Sequence, residues 1–241
     1  MSVRIDLAAY AAELEAFSSL ADDFVDKGSS LRLTDIHRQL RSGIDLAKSR
    51  WTWETRENIV FKPSTTFDGP DRHFPETRFE LGFKFVFKRP ANVGRKVTVW
   101  QIENAATHIK IAKNGCELPF HFDYKNPGQW GPQLHFQVSE ELSDLPIPRI
   151  PSPIFLPSDC ADFLLAELHY VEWRQLQASG DSQRHVSVIR NGQEYRALVY
   201  LKNIGSIWGD DRGSTRICML QDYTASVTSL PDHRNRMPAP W

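Results

Sequence analysis

Cysteine is scarce in this chain: Cys116, Cys160 and Cys218 are the only three among 241 residues, odd in number and far apart. Such a count excludes a disulfide framework, lacks the close pairs that a cysteine zinc site requires, and fits a reducing cytoplasm. An excess of charge of one sign is missing too. With 29 Lys and Arg against 30 Asp and Glu, the formal net charge is -1, so no global field draws the protein to nucleic acid or an anionic membrane. No run approaches eighteen consecutive apolar residues, so no membrane span is expected. The first apolar segment is interrupted by Asp6, Glu13 and Glu15, which argues against a secretory signal. There is no G-x-G-x-x-G, no G-K-[ST] and no G-x-S-x-G, which removes the phosphate-cradling loops and the nucleophile elbow. No internal repeat and no low-complexity segment is present.

What the chain does contain is enough apolar material for a core. Hydrophobic residues make up 41% and charged residues 24%, enough for a full core as one large domain or one and a half small ones; the order of helical and strand patterns that follows points to a single α+β domain spanning 1–241. Residues 1–50 read as a helical hairpin: one amphipathic helix from Ile5 to Lys27 stopped by Gly28, and a second from Asp35 to Ala47 capped by Thr34. Residues 51–144 read as an antiparallel meander of five or more strands. Its clearest member is Arg78 to Lys88, where Phe79, Leu81, Phe83, Phe85 and Phe87 alternate with polar residues. Lys96–Glu103 and His108–Lys113 are expected as two further strands, and Asn114-Gly115 as a tight turn into Glu117.

Residues 145–157 hold five prolines, a density that excludes helix and central strand and marks an extended, stiff crossover with Ile147, Ile150, Ile154, Phe155 and Leu156 turned inward. Residues 158–230 read as a helix capped by Ser158 and running to about Ala178, a hairpin over His185–Leu201 turning at Asn191-Gly192, and a last strand at Arg216–Tyr223. Residues 231–241 form a tail.

The densest set of chemically capable side chains lies between Glu117 and Val138. Leu118, Phe120, Phe122 and Tyr124 alternate with Pro119, His121 and Asp123; Leu134, Phe136 and Val138 alternate with Gln133, His135 and Gln137. If these segments pair with their apolar faces together, the register is restricted to alternate choices. The two shortest place His135 opposite His121 or opposite Asp123, and in both cases His121, Asp123 and His135 share a face. Two imidazoles and a carboxylate can ligate one divalent metal ion, act as an acid/base pair, or form a hydrogen-bonded cluster without chemistry. Glu117 is a further ligand or base on the metal reading. A second set, Lys84, Lys88, Arg89, Arg95 and Lys96, forms a local basic patch suited to a nucleic-acid backbone.

The H-x-D followed by a later histidine resembles the metal triad of iron- and 2-oxoglutarate-dependent oxygenases, at His121, Asp123 and a second His. The chain departs from that pattern because the family's second histidine lies much further along and precedes a cosubstrate-binding Arg; His185 with Arg190 is a forced match. The order H-F-D-Y (121–124), L-H-F-Q (134–137), R-I-P-S-P (149–153) and F-L-L-A-E (163–167), ending near Trp173, resembles the layout of bacterial proteins of unknown function. That resemblance implies a bacterial, cytoplasmic origin.

Two functions are consistent with these features. One is a non-catalytic binding or regulatory subunit without a cofactor, recognising a protein or nucleic-acid partner in a bacterial multi-component system such as stress or phage defence. The other is a metal-dependent hydrolase or nuclease built on His121, Asp123 and His135.

Overall fold

Strand β4 (Arg78–Lys88) is the spine of the structure, a computed structural model that describes residues 3–45, 49–64, 76–90, 98–125, 134–138 and 150–209. Its buried side chains Phe79, Leu81, Phe83, Phe85 and Phe87 all face one way; burying each contributes roughly 1.5–3 kcal/mol relative to exposure. Around it lies an antiparallel sheet of order β2-β4-β5-β6-β7-β8, formed with β2 (Arg50–Glu54), β5 (Val99–Lys113), β6 (Cys116–Lys125), β7 (Leu134–Val138) and β8 (Ile150–Pro151). Two shorter strands complete it: β1 (Val3–Asp6) pairs with β5, and β3 (Ile59–Val60) pairs with β4. The fold is therefore α+β with an antiparallel sheet, as the alternation in the sequence indicates.

The apolar face is covered by α1 (Leu7–Ala21), α2 (Lys27–Asp45) and α3 (Pro157–Leu168). Trp53, on the buried face of β2, donates its indole N–H to the Ile36 carbonyl in α2 at 2.9 Å and meets Tyr10 of α1 edge-on at 5.8 Å. Phe17 and Phe24 pack edge-on against Trp173 in α4 (Tyr170–Ala178), at 6.1 and 5.3 Å. Ile154 and Phe155 pack against this core and Leu156 is fully buried, so the end of the proline-rich segment turns inward as expected, whereas Ile150, expected inside, is 52% exposed at the sheet edge and Ile147 lies outside the described residues. The segment's Ile150–Pro151 pair forms β8 at the sheet edge, where a proline's missing N–H costs no ladder bond.

The chain divides into two units, Met1–Gln193 and Glu194–Trp241; the described part of the second is helical, residues 194–209 of α5 (Gln183–Gly209). Among the described residues, no helix is long and apolar enough to cross a membrane.

Five local expectations are corrected. The first helix does not start at Ile5: residues 3–6 are strand, and the Asp6 carboxylate caps α1 by accepting from the Ala8 and Ala9 N–H groups at 3.0 and 3.1 Å. Gly28 and Thr34 lie inside α2, because the connection is a single 3-10 turn over Asp22–Phe24 and Asp26 accepts from the Ser29 N–H at 2.6 Å. Residues 99–113 form one continuous strand, with an irregularity that shifts the register between Val86 and Phe87 of β4; Ala105 and Ala106 supply none of the chemistry of a turn.

The helix expected over 158–178 starts one residue earlier, at Pro157, with the Asp159 carboxylate accepting from the Leu156 N–H at 2.9 Å, and it breaks at His169. The break lets the buried His169 ring reach the Lys62 carbonyl at 3.1 Å. Finally, the hairpin expected over 185–201 is helix. Helix formers around Asn191-Gly192 outweigh the roughly 1 kcal/mol penalty of a central glycine, while Val186 and Ile189, three apart, are buried on one side. The strand expected at 216–223 and the 231–241 tail lie outside the described residues.

Candidate functional site

The cluster forms because three strands hold register on one face. A two-residue turn at Asn114-Gly115, with φ of 50° and 80°, joins β5 to β6; this left-handed pair is the hairpin geometry that Asn-Gly favours. The turn sets Lys113 opposite Cys116, and counting five residues along each strand brings His108 opposite His121. On the other side of β6, Asp123 pairs with His135 and His121 with Gln137. Of the two registers open from sequence, the structure adopts the one that places His135 against Asp123. Phe122, Phe136, Phe120 and Tyr124 then point to the helix-covered face, so His121, Asp123, His135 and Gln137 share the opposite one.

One ligand atom from each of His121, Asp123 and His135 lies within 4.8 Å of the other two. The His121 Nε2 to Asp123 Oδ2 distance is 3.7 Å, and the rings of His121 and His135 are 6.2 Å apart, edge to face. Among the described residues, this is the one group of three or more His, Cys, Asp or Glu side chains close enough to share a metal ion. A transition metal with bonds of 2.0–2.1 Å needs donors about 3.0 Å apart at right angles and about 3.4 Å apart in a tetrahedron. The cluster thus needs a contraction on the order of 1 Å, within the reach of side-chain rotation.

Burial is graded across the row. His135 is 2% exposed and Asp123 8%, His121 is partly exposed, and His108 on β5 is exposed. The cluster therefore opens toward β5. This polar face of the sheet is closed around Asp123, His135 and Gln137, all of them buried. Two histidines and one carboxylate match what zinc, iron and related ions prefer, and three protein ligands leave further positions for water or substrate.

Glu117 does not join the cluster. It lies four residues before His121 on β6, and its carboxylate is 3.2 Å from the Lys110 ammonium, which also contacts Glu80 at 3.3 Å. Hydrogen bonds to Glu117 and Glu80 hold Lys110 above its ordinary pKa. Of the basic residues, Lys84 pairs with Glu54 at 3.0 Å, the Arg89 guanidinium stacks over Trp100 at 5.1 Å, and Lys88 is exposed at the end of β4. Arg95 and Lys96 lie outside the described residues.

Two residues adjoining the cluster were missed in the sequence. His108 and Gln137 flank His121, and His108 has its ring 5.7 Å from that of His121. The signal for His108 was the Asn114-Gly115 turn, whose two-residue length fixes the pairing of β5 with β6.

Fold and cluster together define an α+β protein with a two-histidine, one-carboxylate group on the face of its sheet opposite α1, α2 and α3. Comparison with family models, with curated proteins and with solved structures returned no match.

Proposed function

We propose that this protein is a divalent-metal-dependent hydrolase, with His121, Asp123 and His135 as the metal ligands. The observation that carries the reading is the convergence of their ligand atoms to within 4.8 Å on a part-buried sheet face. A metal held there supplies Lewis acidity and a bound water of lowered pKa. The chain's own contribution is a rigid frame: two ligands two residues apart on β6 and a third directly across on β7, positioned by ladder hydrogen bonds rather than by a loop. A general hydrolase is favoured over a nuclease because Lys84 and Lys110, two lysines on this face, are already paired with Glu54, Glu80 and Glu117. Such pairing leaves little attraction for a phosphate backbone.

The test is metal analysis of the purified protein and calorimetric titration with zinc, beside hydrolysis assays with chromogenic carboxylic and phosphate esters. Stoichiometric metal and turnover, both lost in a His121→Ala/His135→Ala variant, support the proposal. Metal without turnover on any ester class contradicts the hydrolase reading, and no metal contradicts the site itself.

The second reading is a non-catalytic binding or regulatory subunit of a bacterial multi-component system. It is favoured by the large apolar side chains on helix surfaces, Leu31 at 73% and Phe163 at 63% exposure, which can serve as partner contacts.

A further inference from the structure

The proposed triad leaves its solvent side to be accounted for, and the residue standing there is His108. It pairs directly with His121 across the β5–β6 ladder, while His135 flanks the same strand from β7. Histidines thus stand on both sides of β6, with His121 and Asp123 on β6 itself. Directly paired residues on one face have Cβ atoms about 4.5–5.5 Å apart, close enough for two imidazoles to meet at one point above the sheet.

Ring separations carry the case further. Two imidazoles bound to one metal through nitrogens at 2.0–2.1 Å have ring centres about 5 Å apart. The His121–His108 rings are 5.7 Å apart and the His121–His135 rings 6.2 Å. By this measure His108 is at least as well placed beside His121 as the accepted member of the cluster is. In the present rotamer it falls outside the three-residue group, and its exposure leaves the ring free to turn inward. Its partner on β4 is Gly82, which has no side chain of its own to obstruct it. The space a Cβ would take there holds the Asn58 carboxamide, whose Oδ1 lies 2.5 Å from that position.

We propose that His108 is a fourth ligand to the same metal ion, completing a set of three imidazoles and one carboxylate that closes on the solvent side. This rests on the metal reading of His121, Asp123 and His135 and extends it. Four protein ligands make a tetrahedral ion coordinatively full. His108, the most exposed of the four, is then the ligand that yields its position to an incoming water or substrate. The three more buried residues hold the ion.

The experiment is zinc titration of the full chain by calorimetry, comparing wild type, His108→Ala and, as a control for surface histidines, His185→Ala. It is paired with ¹⁵N NMR of the imidazole nitrogens during the same titration. In wild type one zinc binds per chain, and the ring nitrogens of His108, His121 and His135 shift together. His108→Ala still binds one zinc, about 10- to 100-fold more weakly, a loss of the size that lesser ligand-sphere changes produce; His185→Ala binds like wild type. Equal affinity in His108→Ala, or an unmoved His108 signal while His121 and His135 shift, overturns the fourth-ligand assignment and leaves the triad standing. Loss of one of two bound ions in His108→Ala also overturns it, because His108 would then belong to a separate site. Absence of zinc binding in wild type overturns the underlying metal reading as well. Since His108 is exposed, the variant leaves the core intact, and circular dichroism confirms that it is folded.

Discussion

Replacing Gly43 by alanine separates what local propensity expects from what packing dictates. In an isolated helix the change stabilises by about 1 kcal/mol, because alanine is the better helix former. In this fold Gly43 lies in the last turn and a half of α2, against the indole of Trp51. A Cβ there would stand 2.2 Å from two carbons of that ring and 2.5 Å from a third. Ordinary carbon contacts begin near 3.5 Å, so the ring would have to withdraw by more than about 1 Å. Trp51 has little room to do so, being wedged between Phe87 at 5.1 Å and Trp100 at 6.1 Å. Overpacking of this kind costs about 1–3 kcal/mol or more, which exceeds the propensity gain. Gly43→Ala should therefore lose about 1–2 kcal/mol in urea unfolding followed by tryptophan fluorescence. Gly28→Ala in the first turn of α2, where a Cβ would meet nothing closer than 3.5 Å, should be neutral or slightly stabilising. A Gly43→Ala protein as stable as wild type would refute the packing of α2 on β2 described above.

Asp162 joins three segments through one carboxylate: it accepts from the Trp173 indole N–H at 2.9 Å, from Gln177 at 3.1 Å and from Gln193 at 3.0 Å. Asp162→Ala leaves the buried Trp173 donor unsatisfied and should cost about 2–4 kcal/mol, read as a lower urea midpoint with a blunted tryptophan emission shift. A pH dependence also follows from His37 and His169, whose pKa values are lowered from 6.5, in both cases mainly by desolvation. The unfolded chain then binds more protons than the folded one, so stability falls as pH drops through 6.5 and levels off below the folded values. The slope is at most about 1.4 kcal/mol per pH unit for each proton. His169→Gln should flatten that slope between pH 7 and 5; an unchanged profile would contradict the burial of this ring.

How much of this was legible in the sequence depends on whether a segment's pattern had one reading. Arg78–Lys88 alternates without interruption, and its strand boundaries match the structure. Leu134–Val138 does the same, and the choice of partner faces limited its register to alternate choices, one of the two shortest of which is realised. The turn at Asn114-Gly115 was readable because only residues tolerant of positive φ fit there. The same dipeptide type at Asn191-Gly192 misled, since V-S-V-I-R satisfies both a two-residue and a three-residue period over so short a span. Tertiary contacts then decided it, through Val186 and Ile189 on the core and Gln193 on Asp162. The break at His169 depends on a carbonyl at Lys62, 107 residues away, which no local pattern contains. Within the cluster, His121, Asp123 and His135 could be grouped by parity along two strands. His108 required the additional step of carrying the turn's register back along β5.

The most direct test of the central claim is the metal content of the wild-type chain against the His121→Ala/His135→Ala variant. The convergence of His121, Asp123 and His135 predicts one divalent transition-metal ion per wild-type chain after zinc loading and desalting, and none in the variant. A wild-type chain that retains no metal, or a variant that retains as much as wild type, would contradict it.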